Sequence, residues 1–229
     1  MKRFLRLLLR GVCVIGVALC FAFLITHWIR QTTWYRERVY QLLVTGDQHQ
    51  KLRAASVLAD MGAEAQLLRA LKDGDAATHE MARRALEHVW FNAAGRAAYD
   101  LMQAAYHTEE RGDLKEALQI LDGLVAKYPH YAEGWNRRGS VLWQMGEFRK
   151  SMADCERALR LNPNHYGALQ GKGVCLLKLG ELPEACRTLR AALKISPHNT
   201  SMRESLKRCE ELLRTFPPTE KIDKGSDLI

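Results

Sequence analysis

AEGWNRRGSVLWQMGEFRKSMADCERALRLNPNH, residues 132–165, runs directly into YGALQGKGVCLLKLGELPEACRTLRAALKISPHN, residues 166–199. Laid one above the other, the two segments align Gly146 with Gly180, Ser151 with Ala185 and Pro163 with Pro197, each pair 34 residues apart. The same interval leads back to Gly112, Ala117 and Pro129. Three markers in one register define an internal repeat. A period of about 34 residues is that of a helix–turn–helix unit, which cannot bury its apolar face alone and stacks on copies of itself. The expected fold class is therefore all-α, a helical-hairpin solenoid.

The residue types suit that packing. Small residues on the first helix of each unit (Gly139, Gly173) and on the second (Ala158, Ala192) let two backbones approach, while Trp135 and Leu169 fill the space beside them. Gly146 and Gly180 close the first helices, and Pro163 and Pro197 prevent the second from continuing.

Residue by residue, the segment resembles tetratricopeptide repeats. The unit beginning at Ala132 supplies Trp135, Gly139, Leu142, Ser151, Ala158 and Pro163 at the motif positions, and Arg138 and Cys155 depart from it. The unit beginning at Tyr166 supplies Leu169, Gly173, Leu176, Ala185, Leu189, Ala192 and Pro197, with Lys172 where Leu is usual. The unit beginning at Ala98 keeps Leu101, Ala105, Ala117, Leu121 and Pro129, but carries Thr108 and Leu124 in place of an aromatic and an alanine. The resemblance implies a right-handed superhelix of three units, residues 98–131, 132–165 and 166–199. It also implies a concave groove, lined by first helices, that binds a peptide or protein. Carried over by position, the groove candidates are Tyr99, Met102, Tyr106, Asn136, Ser140, Trp143, Gln170, Val174 and Leu177. Trp143 is either a ligand anchor or a packing residue against a neighbouring unit or the chain end. Members that hold the carboxylate tail of a chaperone use Lys, Asn and Arg at positions occupied here by Met102, Tyr106, Gly167 and Gly171, so that ligand is not expected.

Working outward, residues 33–92 show four apolar stripes at helical spacing, interrupted at Gly46, Gly62 and Asp73-Gly74. The stretch from Lys51 to Val89 resembles a HEAT-type repeat, and one such unit must pack on a neighbour. It is expected to sit on the first downstream repeat, with Trp90 and Phe91 at the junction. SMRESLKRCEELLRTF, residues 201–216, is amphipathic and predicts a capping helix over 200–216, and the charged tail 217–229 predicts disorder.

The amino-terminal 30 residues contain Lys2, Arg3, Arg6, Arg10 and Arg30 and no acid. Between them Gly11 to Ile29 carry no formal charge, a run nearly long enough to span about 30 Å of hydrocarbon and longer than the apolar stretch of a cleaved signal. Residues 1–30 thus predict a single transmembrane anchor, with basic residues favouring an extracytoplasmic body, periplasmic in a bacterium. That segment also accounts for five of the eight net positive charges, leaving +3 for the body and no basic stripe for nucleic acid.

Chemistry-bearing motifs are absent: no CxxC, HExxH, phosphate-binding glycine loop or nucleophile elbow occurs. His130, His165 and His198 fall at turns between units and are expected at the surface. No catalytic residue, cofactor or metal is predicted. Cys155, Cys175, Cys186 and Cys209 lie among apolar neighbours, where a thiol packs as a small hydrophobe; Cys186 and Cys209, on adjacent helices, are either that or a disulfide. The expected function is that of a non-enzymatic, membrane-anchored scaffold binding a peptide or protein. The alternative is a structural spacer or self-association module.

Overall fold

The computed structural model describes residues 19–26, 28–29 and 32–215. Helices Thr33–Thr45 (α1), Gln48–Asp60 (α2), Glu64–Asp73 (α3) and Ala76–Asn92 (α4) lead into the repeats. The repeats are Arg96–Glu110 (α5) with Leu114–Lys127 (α6), Ala132–Gln144 (α7) with Phe148–Leu161 (α8), and Tyr166–Lys178 (α9) with Leu182–Ile195 (α10). Thr200–Thr215 (α11) closes the array against α10. The architecture is an all-α helical-repeat solenoid.

The periodic glycines do what their spacing requires. Gly112, Gly146 and Gly180 have φ of +84°, +80° and +80°, a left-handed conformation that costs any residue with a Cβ. At Gly146 the chain turns back on itself, the amide of Glu147 bonding the Leu142 carbonyl at 2.9 Å. The small residues inside the hairpins also have contact partners. A Cβ on Gly173 would lie 2.7 Å from the Leu189 side chain, and one on Gly139 would lie 3.2 Å from the Ser151 carbonyl. Ser151 Oγ in turn donates to the Gly139 carbonyl at 2.7 Å. Trp135 donates from Nε1 to the Pro129 carbonyl at 3.0 Å, tying one unit to the turn before it. Ala192 and Pro197 occupy the buried end of α10 and the turn that follows it.

Two of the departures from the repeat motif, Arg138 and Lys172, share one explanation. Arg138 on α7 forks onto Asp154 of its own unit at 2.7 Å and reaches Asp122 of the preceding unit at 2.9 Å. Lys172, the equivalent residue 34 positions later, bridges Glu156 of the preceding unit at 3.0 Å and Glu184 of its own at 3.2 Å. A long cation thus replaces an apolar knob and clips consecutive units together.

The four leading helices do not extend the stack from the first unit outward, as the sequence suggested. The α4–α5 turn passes through Gly95 at φ +82° and redirects the chain, so α1–α4 lie back along the turns between units. Phe91 meets the first unit as expected, edge-on to Tyr99 at 5.2 Å, and its carbonyl accepts the Tyr131 hydroxyl at 2.7 Å. Trp90 instead reaches the start of the third unit, stacking on His165 at 4.5 Å and lying 5.2 Å from Tyr166. Its Nε1 donates to Glu64, whose same oxygen accepts Asn162 Nδ2 at 3.1 Å. Tyr166, Ala192 and Met202 therefore join the core of α1–α4. Inside that core Lys51 is buried, bonded to Asp75 at 2.7 Å and to Thr78 at 2.9 Å.

The same seam corrects the expectation of a surface position for one of the turn histidines, His165; His130 and His198 are exposed as expected. His165 is 2% exposed: its Nδ1 accepts the Ala168 amide at 3.2 Å, which leaves the proton on Nε2 to be donated to Glu133 at 2.7 Å. On α4, buried His79 meets Ser196 at 2.8 Å and the His198 ring at 5.3 Å. Burial, followed by the facing His198, holds the His79 pKa below its ordinary value; Glu80 opposes this and Arg83 reinforces it. A lowered histidine pKa means that the unfolded chain binds the proton first, so the stability from this joint is complete above about pH 6.5 and is lost as pH falls below that. The melting temperature is accordingly expected to drop between pH 7 and 5.5, and His79→Gln to flatten that slope in thermal melts. An unchanged slope would count against the joint.

Among the described residues no helix is long and apolar enough to cross a membrane. Residues 1–18, 27 and 30 of the expected anchor, and Phe216 with the tail 217–229, lie outside the described residues.

Candidate functional site: the concave groove

The inner faces of α7 and α9, with the start of α11, enclose an open cavity of about 440 Å³. Five of the groove candidates meet there: Asn136, Ser140 and Trp143 from α7, Gln170 and Val174 from α9. The spacing explains why. Asn136, Ser140 and Trp143 recur every three or four residues, as do Gln170 and Val174, so each set forms one stripe on its helix. The floor is Gly167, Gly171 and the nearly buried Cys155; a Cβ on Gly171 would lie 2.7 Å from the Cys155 sulfur. The cavity is thus shallow over backbone and walled by amides, hydroxyls and one indole. Trp143 is 38% exposed and approaches the Phe148 ring edge-on at 6.4 Å.

The other candidates lie elsewhere. Met102 is 0% exposed and belongs to the core, where Ala98, Ala105, Leu121 and Val141 surround it. It is removed from the groove because the following unit closes over that face of α5. Leu177 is half-buried in the cluster formed by α9, α10 and the capping helix, beside Leu206 and Leu213. Tyr99 faces the α4 end, between Phe91 and Arg96. Tyr106 is exposed on the groove rim beneath Arg137, whose guanidinium lies 4.8 Å from the ring.

Position-by-position reading of first helices missed two members, Ser201 and Ser205, because α11 belongs to no repeat. Gln170 Nε2 donates to Ser201 Oγ at 3.1 Å, which joins the capping helix to the groove wall. The only hint in the sequence is that the two serines are four residues apart, on one face of an amphipathic helix.

The electrostatics of the groove are nearly neutral. Arg137 is the cation at its edge, and it is paired with Glu109 at 2.7 Å. The positions that would clamp a carboxylate hold the buried Met102, Tyr106 and two glycines. Cys155 is no ready nucleophile, since burial pushes its thiol pKa up to about 12. Among the described residues no group of three or more His, Cys, Asp or Glu side chains is placed to hold a metal ion. The arrangement is suited to contact and offers no assembled chemistry. Two larger cavities, of about 840 Å³ and 800 Å³, lie along the α1–α4 segment: one at its seam with the turns between units, the other between α2 and α4.

Comparison with known proteins agrees on the repeats. Tetratricopeptide-repeat family models match residues 95–131, 132–165 and 155–187. A TPR repeat-containing protein of Rhizobium etli is 36% identical over 124 residues, covering 54% of this chain and 61% of that protein. DnaJ homolog subfamily C member 7 of Mus musculus is 25% identical over 109 residues, 48% of this chain and 22% of its own length. This chain thus spans less than two thirds of either relative. Among solved structures, the first TPR of Spaghetti (RPAP3), bound to an HSP90 peptide, superposes with a TM-score of 0.50 at 21% identity over 51% of this chain and 95% of that one. The likeness establishes the fold.

Proposed function

We propose that this tetratricopeptide-repeat chain is a membrane-anchored adaptor that holds an extended peptide or protein segment in its concave groove. The observation that carries the reading is the convergence of Asn136, Ser140, Trp143, Gln170 and Val174 on one cavity whose floor is glycine backbone. Amide side chains bond peptide N–H and C=O groups, glycines admit close backbone approach, and an exposed indole supplies the apolar anchor typical of interface hot spots. The neutral groove fits an uncharged segment better than an acidic chain end. Relatives of similar architecture include a repeat domain bound to a chaperone peptide, which supports peptide capture in general; the missing cations argue against that ligand here. Partner capture by the full chain, with and without Trp143, tests the reading.

The anchor part of the proposal rests on the charge-free run from Gly11 to Ile29, its basic flanks, exposed Trp28 near its end and exposed Trp34 beyond it. Arg38 lies 5.7 Å from the Trp34 ring, an aromatic–cation pair suited to a headgroup layer. The HEAT-like α1–α4 segment then acts as a brace between membrane and groove. In sealed membrane vesicles of known orientation, protease is expected to spare the body when the extracytoplasmic side is enclosed. Complete digestion under that condition would reverse the orientation, and release of the chain by high salt alone would remove the anchor.

A further inference from the structure

Two sulfurs face each other where the capping helix packs on the last repeat. Cys186 on α10 and Cys209 on α11 are 1% and 0% exposed, and their Sγ atoms are 2.6 Å apart. That separation lies much nearer the about 2.05 Å of a disulfide than ordinary contact between unbonded sulfurs. Both are free thiols here, as are Cys20, Cys155 and Cys175 among the described residues. The remaining contacts around the pair are already in place: Arg190, one turn after Cys186, bonds Glu210, the neighbour of Cys209, at 2.7 Å. Leu176, Leu189, Leu206 and Leu213 pack around it. Cys175, in contrast, is directed at Ser151 Oγ at 3.2 Å.

We propose that Cys186 and Cys209 are a disulfide site that staples α11 to α10 and thereby holds Ser201 and Ser205 in the groove wall. The bond forms by exchange with an oxidised low-molecular-weight disulfide such as glutathione disulfide. One protein thiol loses its proton and attacks a sulfur of the oxidant, releasing one small thiol and leaving a mixed disulfide. The second protein thiol then displaces the other small thiol. Two electrons and two protons leave the cysteines, and one oxidant disulfide becomes two thiols. Burial, and secondarily the bond to Cys186, push the Cys209 pKa up to about 12. Exchange in the docked state is therefore slow, and the staple closes while α11 is still settling onto α10. Once closed it is shielded from reductant by the same burial.

The test uses the full chain in detergent micelles, unfolded and then refolded with a glutathione redox buffer, alkylated and digested with trypsin without reductant. The expected product joins peptide 179–187 to peptide 209–214, two hydrogens lighter than their sum, and disappears on reduction. The oxidised chain is expected to melt about 5 to 10 °C above its reduced form, as for a loop of this size in a domain of this length. A Cys155→Ser, Cys175→Ser double variant should keep that difference, and Cys209→Ser should lose it. Recovery of both peptides in singly alkylated form after oxidative refolding would overturn the proposal, as would a crosslink joining either cysteine to a different one.

Discussion

Trp90→Ala is expected to lower the melting temperature of the full chain by about 10 °C and to split a single transition into two. Trp90 is 6% exposed and does three things at one joint. It stacks on His165, fills the space beside Tyr166, and donates to Glu64. Truncating a buried tryptophan costs about 3–5 kcal/mol, and each kcal/mol moves the midpoint of a domain this size by about 2–4 °C. The polar contacts that remain across the seam, such as His79 with Ser196 and Tyr166 with Glu87, are single bonds that a void would expose to water, which leaves Ala192 and Met202 as the apolar contacts still holding it. The α1–α4 helices should then melt ahead of the repeats in circular dichroism or calorimetry. Trp90→Phe keeps the stacking while dropping the bond to Glu64, and should lose less than half as much. A Trp90→Ala chain that melts as one unit within a degree of the parent would show that the brace is held by something else.

Trp143→Ala is expected to do the opposite: to leave melting and helicity unchanged while weakening partner binding by about 30-fold or more, the effect of removing a hot-spot aromatic worth about 2 kcal/mol. At 38% accessibility this indole is, with Tyr106, one of the large apolar side chains that the repeats leave exposed. It stands on the same helix stripe as Asn136 and Ser140, so a segment crossing the groove must pass it. A fall in stability together with binding would reassign Trp143 to packing, the other role its sequence position allowed.

The repeats were legible because their markers recur: a glycine that must adopt positive φ and a proline that must end a helix sit at fixed intervals whatever surrounds them. The groove was half legible. Helical spacing puts Asn136, Ser140 and Trp143 on one face, and the structure keeps them together. Spacing does not say what covers a face, and Met102 and Leu177 fail for that reason, one closed over by the second unit and the other packed beneath the capping helix. The seam was the least legible part. Trp90 and His165 are 75 residues apart, and no periodic signal links a helix end to a turn two units away. The cationic departures Arg138 and Lys172 show the reverse: a mismatch to the motif at matching positions turned out to be a repeated ion clip.

The measurement that bears most directly on the central claim is quantitative capture from native membranes by the tagged full chain, parent and Trp143→Ala side by side at equal folded protein. If the groove is the binding surface, the parent retains a defined partner that the variant loses, and a peptide from that partner competes for the parent. Equal recovery of the same partner by both chains would contradict it.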